Sequence, residues 1–357
     1  MRETIDCVLR LFAFFAGAFI LSVVINSFIL RFVQTLGIRQ KSEMTIRWSA
    51  QAKPAVGGIS FYICYLMGFM FYAIVFGQTD VFQNTHLLGL FITITLAFFL
   101  GLSDDAYDTK PVLKLGIQIL CGVILIYTDS GIHLFQMAWL NNLVTVIWVV
   151  GIMNSVNMLD NMDGITTVSS IFIILTLIGI SIPAEIFNNV DVFLLITVLG
   201  ALCGFLLYNW NPSKMFMGDT GSQFLGMFLA FFSIRFLWNA GIHEGNYSIF
   251  SNFTLVLIAF SVPLVDTTYV TLKRLWKRQK PWVGGKDHST HMLSYKGLTD
   301  RQVGLVFVGL STMATLLALN IAKYIPKNSL LLVAMWFYVA MLIYVFYSFS
   351  RKRKNTD

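Results

Sequence analysis

The stretch DVFLLITVLGALCGFLLY (191–208), the polar turn NWNPSKMFMGDT (209–220) and the run GSQFLGMFLAFFSIRFLWN (221–239) decide the fold. Crossing a hydrocarbon core ~30 Å thick takes about 20 apolar residues at 1.5 Å of helical rise each. Lipid offers no partner to a bare peptide group, so runs this long and uninterrupted are read as helices. The turn between them carries Gly218 and the acid Asp219, and Gly221 opens the second run, which is a place for chemistry at a membrane surface.

The same pattern repeats along the chain. Of 357 residues, 57% are hydrophobic and 12% charged, and the mean hydropathy is +0.73. A soluble domain carries about a quarter charged residues, and an aqueous core stops growing at about 250–300 residues. The solvent for most of this surface is therefore lipid. Eleven spans are expected, at 7–30, 55–76, 86–103, 113–129, 139–156, 164–182, 191–208, 221–239, 251–272, 302–322 and 329–349. The first run is too long for a signal peptide and has no small-residue cleavage site, so it is read as a retained helix. The expectation is an all-α, polytopic membrane protein, with residues 1–357 forming one transmembrane domain.

With eleven spans, alternate connections and the start of the fourth span hold 20 of the 25 basic residues: five from Arg31 to Lys53, then Lys110, Lys114 and Lys214, eight from Lys273 to Arg301, and four in the tail from Arg351 to Lys354. The positive-inside rule places that side in the cytoplasm, with the N-terminus outside and the C-terminus inside. The same bias accounts for the net charge of +7, so no nucleic-acid partner is expected; the basic run Lys273–Lys280 reads as a topology and headgroup anchor. The four cysteines fall inside spans without paired spacing and read as small apolar residues.

Acids are scarce, and they gather on the basic side. Asp104, Asp105 and Asp108 stand in LSDDAYD, Asp160 and Asp163 in NMLDNMDG, and Asp219 in FMGDTGS. A carboxylate beside a low-dielectric region is costly unless it is paired or binds a cation. Helix capping is the plainer alternative for Asp104, Asp108 and Asp219. Three clusters on one face favour Mg²⁺, which takes one or two carboxylates and completes its shell with water and phosphate. Lys53, Lys114, His288 and His291 lie on the same side as counter-charges for phosphate. Acids for a metal and cations for phosphate together suggest phosphoryl transfer. For the two histidines a zinc pair is the alternative, but no third ligand or cysteine lies near. Asp266, inside the ninth expected span, is either functional or paired within the bundle.

Five motifs in order make the chain resemble the polyprenyl-phosphate N-acetylhexosamine-1-phosphate transferase superfamily (glycosyltransferase family 4). KPAVGGISF (53–61) is similar to the family's KP-x-x-GG segment, LSDDAYD (102–108) to its DDxxD motif and NSVNMLDNMDG (154–164) to NxxNxxDGxDG. NWNPSKMFMGDTGS (209–222) is similar to the FMGDTGS segment, and DHSTHML (287–293) to the histidine loop. Asn161 stands where the family usually has Gly. The resemblance implies transfer of a sugar 1-phosphate from a UDP-sugar to undecaprenyl phosphate in a bacterial cytoplasmic membrane, releasing UMP. It implies Mg²⁺, with Mn²⁺ as a substitute, held by Asp219 assisted by Asn157. It also implies Asp104, Asp105 and Asp108 as the catalytic acids that deprotonate or position the lipid phosphate. Lys53, Lys114, Asn157, Asp160, Asp163, Asn209, His288 and His291 fall where the substrate is held. A single His-x-x-His loop resembles the N-acetylglucosamine branch more than the muramoyl-pentapeptide branch, whose adjacent histidines are absent. A homodimer is implied by the resemblance alone. Two rivals are a CDP-alcohol phosphotransferase, whose D-G-x-x-A-R run does not occur here, and a secondary transporter, which would carry its acids near mid-span.

Overall fold

The computed structural model describes residues 2–35, 53–76, 83–181, 190–240, 249–280 and 285–324, with 336, 338 and 340. Twelve α-helices make up the described chain: α1 Arg2–Thr35, α2 Gly58–Phe76, α3 Thr85–Tyr107, α4 Pro111–Tyr127, α5 Ala138–Leu159, α6 Ile165–Ser181, α7 Val190–Asn209, α8 Gly218–Ser233, α9 Ile249–Ala259, α10 Ser261–Trp276, α11 Ser289–Tyr295 and α12 Asp300–Tyr324. Among the described residues the only β pairing is a single parallel bridge between Ala55 and Phe216.

Seven helices, α8 being counted with the π turn that continues it to Trp238, are long and apolar enough to cross a membrane, and α9 with α10 would make an eighth. The 17-residue α4 and α6 stand at the lower limit of spanning length. The eleventh expected span, 329–349, lies outside the described residues except for 336, 338 and 340. The ninth, expected to be one helix over 251–272, is instead bent by 81° between α9 and α10. Pro263 accounts for the break, since its ring clashes with the carbonyl four residues back, at Ala259, and it has no N–H to donate there.

α8 is the axis of the molecule. All of its residues except Asp219 are buried, and it packs on α2, α3, α5 and α6. Phe224, Phe228 and Phe232 form a ladder along it, with ring centroids 6.0 and 4.7 Å apart. α1 packs on α7 and turns Phe12, Ile20 and Phe28 outward, as a lipid-facing helix does. Several polar side chains inside the bundle pair with one another: Trp148 Nε1 donates to Ser233 Oγ at 2.8 Å, and Gln118 bridges Asn154 (2.7 Å) and Gln223 (3.1 Å). At the end of α8 the helix widens into a π turn, Ile234–Trp238, and Arg235 there forms an ion pair with the buried Asp191 at the start of α7.

Candidate active site

The site is built at the opposite end of α8, where the chain enters that helix. Phe216 N donates to Pro54 O (2.9 Å), Gly57 N to Phe216 O (3.1 Å) and Gly58 N to Met217 O (2.9 Å), so the KPAVGG segment is sewn to FMGDTG by backbone bonds. Two glycines make this possible. Gly218 has φ +73, in the left-handed region, and a Cβ there would lie 2.4 Å from Ala55 O. A Cβ on Gly58 would lie 2.1 Å from the backbone nitrogen of Gly221, so α2 and α8 touch main chain to main chain.

Adjacent residues on a helix point about 100° apart, and the acids of LSDDAYD divide accordingly. Asp105 turns to α8 and caps its first turn from outside: its carboxylate accepts Asp219 N (2.9 Å), Thr220 N (2.8 Å) and Thr220 Oγ1 (2.6 Å). The residue preceding α8, Met217, supplies no side-chain cap of its own. Asp104 turns the other way. Its Oδ1 accepts Thr109 N (2.9 Å) and Thr109 Oγ1 (2.7 Å), and its Oδ2 pairs with Lys114. Asp108 is exposed, with φ 51, and ends α3 as a left-handed C-cap.

The Lys114 ammonium therefore stands between two carboxylates, Asp104 and Asp219, the latter at 3.6 Å. Asp104 is buried, while the Asp219 side chain is 36% exposed. Asn157 Nδ2 donates to Asp219 Oδ1 (2.8 Å) and Ser222 Oγ (2.8 Å), which fixes the carboxylate and leaves the amide oxygen of Asn157 to the site. Two hard carboxylates share one fixed positive charge, and one of them opens outward. That donor set suits a Mg²⁺ ion, which needs few protein oxygens and takes the rest from phosphate and water. Among the described residues no group of three His, Cys, Asp or Glu is arranged to hold a metal.

The other predicted residues divide into open and fully engaged. Lys53 reaches Asp163 Oδ2 (3.4 Å) and Ser213 Oγ (3.0 Å). Asp163 also accepts Asn211 Nδ2 (3.1 Å), Ser213 N (2.9 Å) and Ser213 Oγ (2.8 Å), so its oxygens tie the 160s turn to the loop before α8. Asn209 is buried, accepting Thr167 Oγ1 (2.7 Å) and donating to Met215 O (3.0 Å). Asp163 and Asn209 thus build the site's wall. Asp160 is the half-buried C-cap of α5. In that turn the positive φ falls on Gly164, at 77°, and not on Asn161, so the backbone does not require a glycine at 161.

His288 and His291 are both buried, their rings 5.7 Å apart at 85°. Burial, and secondarily the neighbouring His288, lower the His291 pKa to about 4. Arg274 departs from the anchor reading of its basic run: it is buried and forms a fork with Asp287, Nε to Oδ2 at 3.0 Å and Nη2 to Oδ1 at 2.6 Å. Burial opposes the Asp287 charge, but this fork outweighs it and holds the carboxyl below its usual range. Sequence reasoning did not find Thr109, Ser213, Thr220 or the Asp287–Arg274 fork. For the fork alone there was a signal, the single acid Asp287 in the basic loop between α10 and α11.

The glycosyl transferase family 4 model matches residues 87–237, the segment from α3 to the π turn. The chain is 28% identical over 264 residues to the probable undecaprenyl-phosphate N-acetylglucosaminyl 1-phosphate transferase of Bacillus subtilis, covering 71% of this chain and 69% of that protein. It is 31% identical over 241 residues to the phospho-N-acetylmuramoyl-pentapeptide-transferase of Streptococcus uberis, 60% of this chain and 70% of that protein. To the Streptococcus pneumoniae D39 enzyme of the same name it is 28% identical over 320 residues, 82% and 91% of the two chains. A site assembled from the family's five motifs, on a fold of apolar helices, agrees with these matches: the chain belongs to glycosyl transferase family 4.

Proposed function

We propose that this protein transfers a sugar 1-phosphate from a UDP-sugar to undecaprenyl phosphate at the cytoplasmic face of a bacterial membrane, releasing UMP and starting a cell-envelope glycan. The observation that carries this reading is the Asp104–Lys114–Asp219 array, which presents one ammonium and one open carboxylate at a helix end. N-acetylglucosamine 1-phosphate is the favoured cargo, supported by the single His-x-x-His loop and by the activity for which the B. subtilis relative is named.

The chemistry is a displacement at phosphorus. A lipid-phosphate oxygen forms a bond to the β-phosphorus of the UDP-sugar, and the bond from that phosphorus to the bridging oxygen breaks, so that UMP leaves with the electron pair. A phosphate monoester has a second pKa of about 6 and is largely ionised at neutral pH, so little base work is required. Asp104 instead holds Lys114 in place for a phosphate oxygen, and Lys53 lies next to the 160s turn for a second one. Asp105 keeps the first turn of α8, and with it Asp219, in register. His288 and His291 contact the donor. When bound, Mg²⁺ supplies neutralisation of the diphosphate charge, and Asp219 with the amide oxygen of Asn157 would hold it.

The test is UMP release from purified protein given a panel of UDP-N-acetyl sugars, undecaprenyl phosphate and Mg²⁺. Release is expected only with lipid phosphate present, and EDTA should stop it until Mg²⁺ is restored. Folded protein that releases no UMP with any donor would refute the transferase reading, and EDTA-insensitive release would refute the metal.

A further inference from the structure

The histidine loop is held from below by a helix that lies outside the family-model match. Asp266, on α10, is fully buried. Its two oxygens divide their work: Oδ2 accepts Nδ1 of His288 at 2.9 Å, and Oδ1 accepts the backbone N–H of Ser289 at 2.8 Å together with Ser289 Oγ. Two turns along the same helix, Arg274 grips Asp287 through both oxygens. From the other side Thr290 Oγ1 donates to Asn161 Oδ1, on the turn after α5. The side chains of four consecutive residues, Asp287 to Thr290, are thus pinned between α10 and the site turn.

Stapling the loop needs only Ser289 and Arg274. The second Asp266 oxygen does something else. A carboxylate accepts and does not donate, so the hydrogen of the His288–Asp266 bond sits on Nδ1. That fixes the ring's orientation and leaves Nε2 as the ring nitrogen free to meet a ligand, as a buried carboxylate does for a working histidine elsewhere. A bare carboxylate at this depth is costly unless it is paired, and His288 is the ionisable group bonded to it.

We infer that Asp266 is a positioning residue that acts through His288, presenting His288 Nε2 to the sugar-nucleotide donor. This rests on the reading of His288 as a donor contact. Asn161 contributes to the same docking through a side-chain bond that a glycine at that position would lack.

A double-mutant cycle tests it, reading KM for the UDP-sugar and KM for undecaprenyl phosphate separately, on variants shown to be monodisperse and to melt cooperatively. By analogy with groups that orient a histidine from behind, Asp266→Asn should raise the donor KM about tenfold and leave the lipid KM unchanged. His288→Ala should do the same. In the His288→Ala background, Asp266→Asn should change donor KM less than twofold, since there is no ring left to orient. Ser289→Ala, which removes only a stapling hydroxyl, should leave donor KM within twofold. A silent His288→Ala would sink the donor contact and the positioning role with it. A costly His288→Ala with full multiplication by Asp266→Asn would sink the positioning role alone. Should Asp266→Asn not fold, nitrogen-15 spectra of histidine-labelled native protein decide: the signal missing from His288→Ala should show a hydrogen on Nδ1, and a bare Nδ1 would overturn the inference.

Discussion

Asp105→Ala should act on the fold before it acts on chemistry. The carboxylate accepts three donors from the first turn of α8, at 2.6–2.9 Å. Removing a helix-capping acceptor costs about 0.5–2 kcal/mol, and hydrogen bonds to a charged acceptor contribute about 1.5–3 kcal/mol. These overlap, because they describe the same groups, and Asp105 lies near solvent, so about 2 kcal/mol is a reasonable sum, or roughly a thirtyfold shift in the folding equilibrium. Asp105→Asn keeps one oxygen acceptor and should lose about half as much. The assay pairs thermal unfolding in detergent with UMP release at a temperature well below the midpoint. The expected order of stability is wild type, then Asn, then Ala, with activity falling in parallel because Asp219 rides on the same turn. An Asp105→Ala protein that melts like wild type yet turns over nothing would refute the reasoning and return Asp105 to the chemistry.

Three other outcomes follow from the same geometry. Asp219→Asn should abolish Mg²⁺-dependent UMP release while leaving the melting curve near that of wild type, because the amide is isosteric and only one oxygen is bonded to Asn157. Gly58→Ala should prevent accumulation of folded protein in membranes, since a methyl group 2.1 Å from the Gly221 nitrogen meets backbone and not a yielding side chain; normal expression would show that α2 and α8 separate more easily than their packing suggests. His291, with its pKa lowered from 6.5 to about 4, binds a proton more readily unfolded than folded. Its contribution to stability is therefore present above pH 6.5 and is lost as the pH falls towards 4; His291→Gln should flatten that part of the stability–pH curve, and an unchanged slope would contradict the burial argument.

The helices, and the gathering of the acids at one end of the bundle, were legible because long apolar runs and scarce acids are one-dimensional signals. The roles within the DD pair were not. Which of two adjacent carboxylates faces Lys114 depends on helix phase, and only the packing of α3 on α8 sets that. Asp163 and Asn209 lie at motif positions expected to hold substrate, yet their polar atoms are spent on Ser213, Asn211, Thr167 and Met215. The break in the ninth span has a visible cause in Pro263, which the continuous hydropathy around it masks. Asn161 departs from the family pattern without consequence for the backbone, since the left-handed residue of that turn is Gly164.

The Asp191–Arg235 pair, far from the site, bears on how the chain is made. Each charge entering lipid alone would add a few kcal/mol to insertion, up to ~2.5–3.5 if held at a helix centre. Paired, they largely neutralise one another before either is exposed to hydrocarbon. The two residues sit at the outer ends of α7 and α8, consecutive helices joined by the turn that carries Asp219. Biogenesis is thus best served when the two segments leave the translocon together as a hairpin, and the turn that carries Asp219 is closed at the moment its supporting helices enter the bilayer. Arg235→Ala should then show as a smaller integrated fraction during synthesis; an unchanged fraction would mean that the two helices insert one at a time.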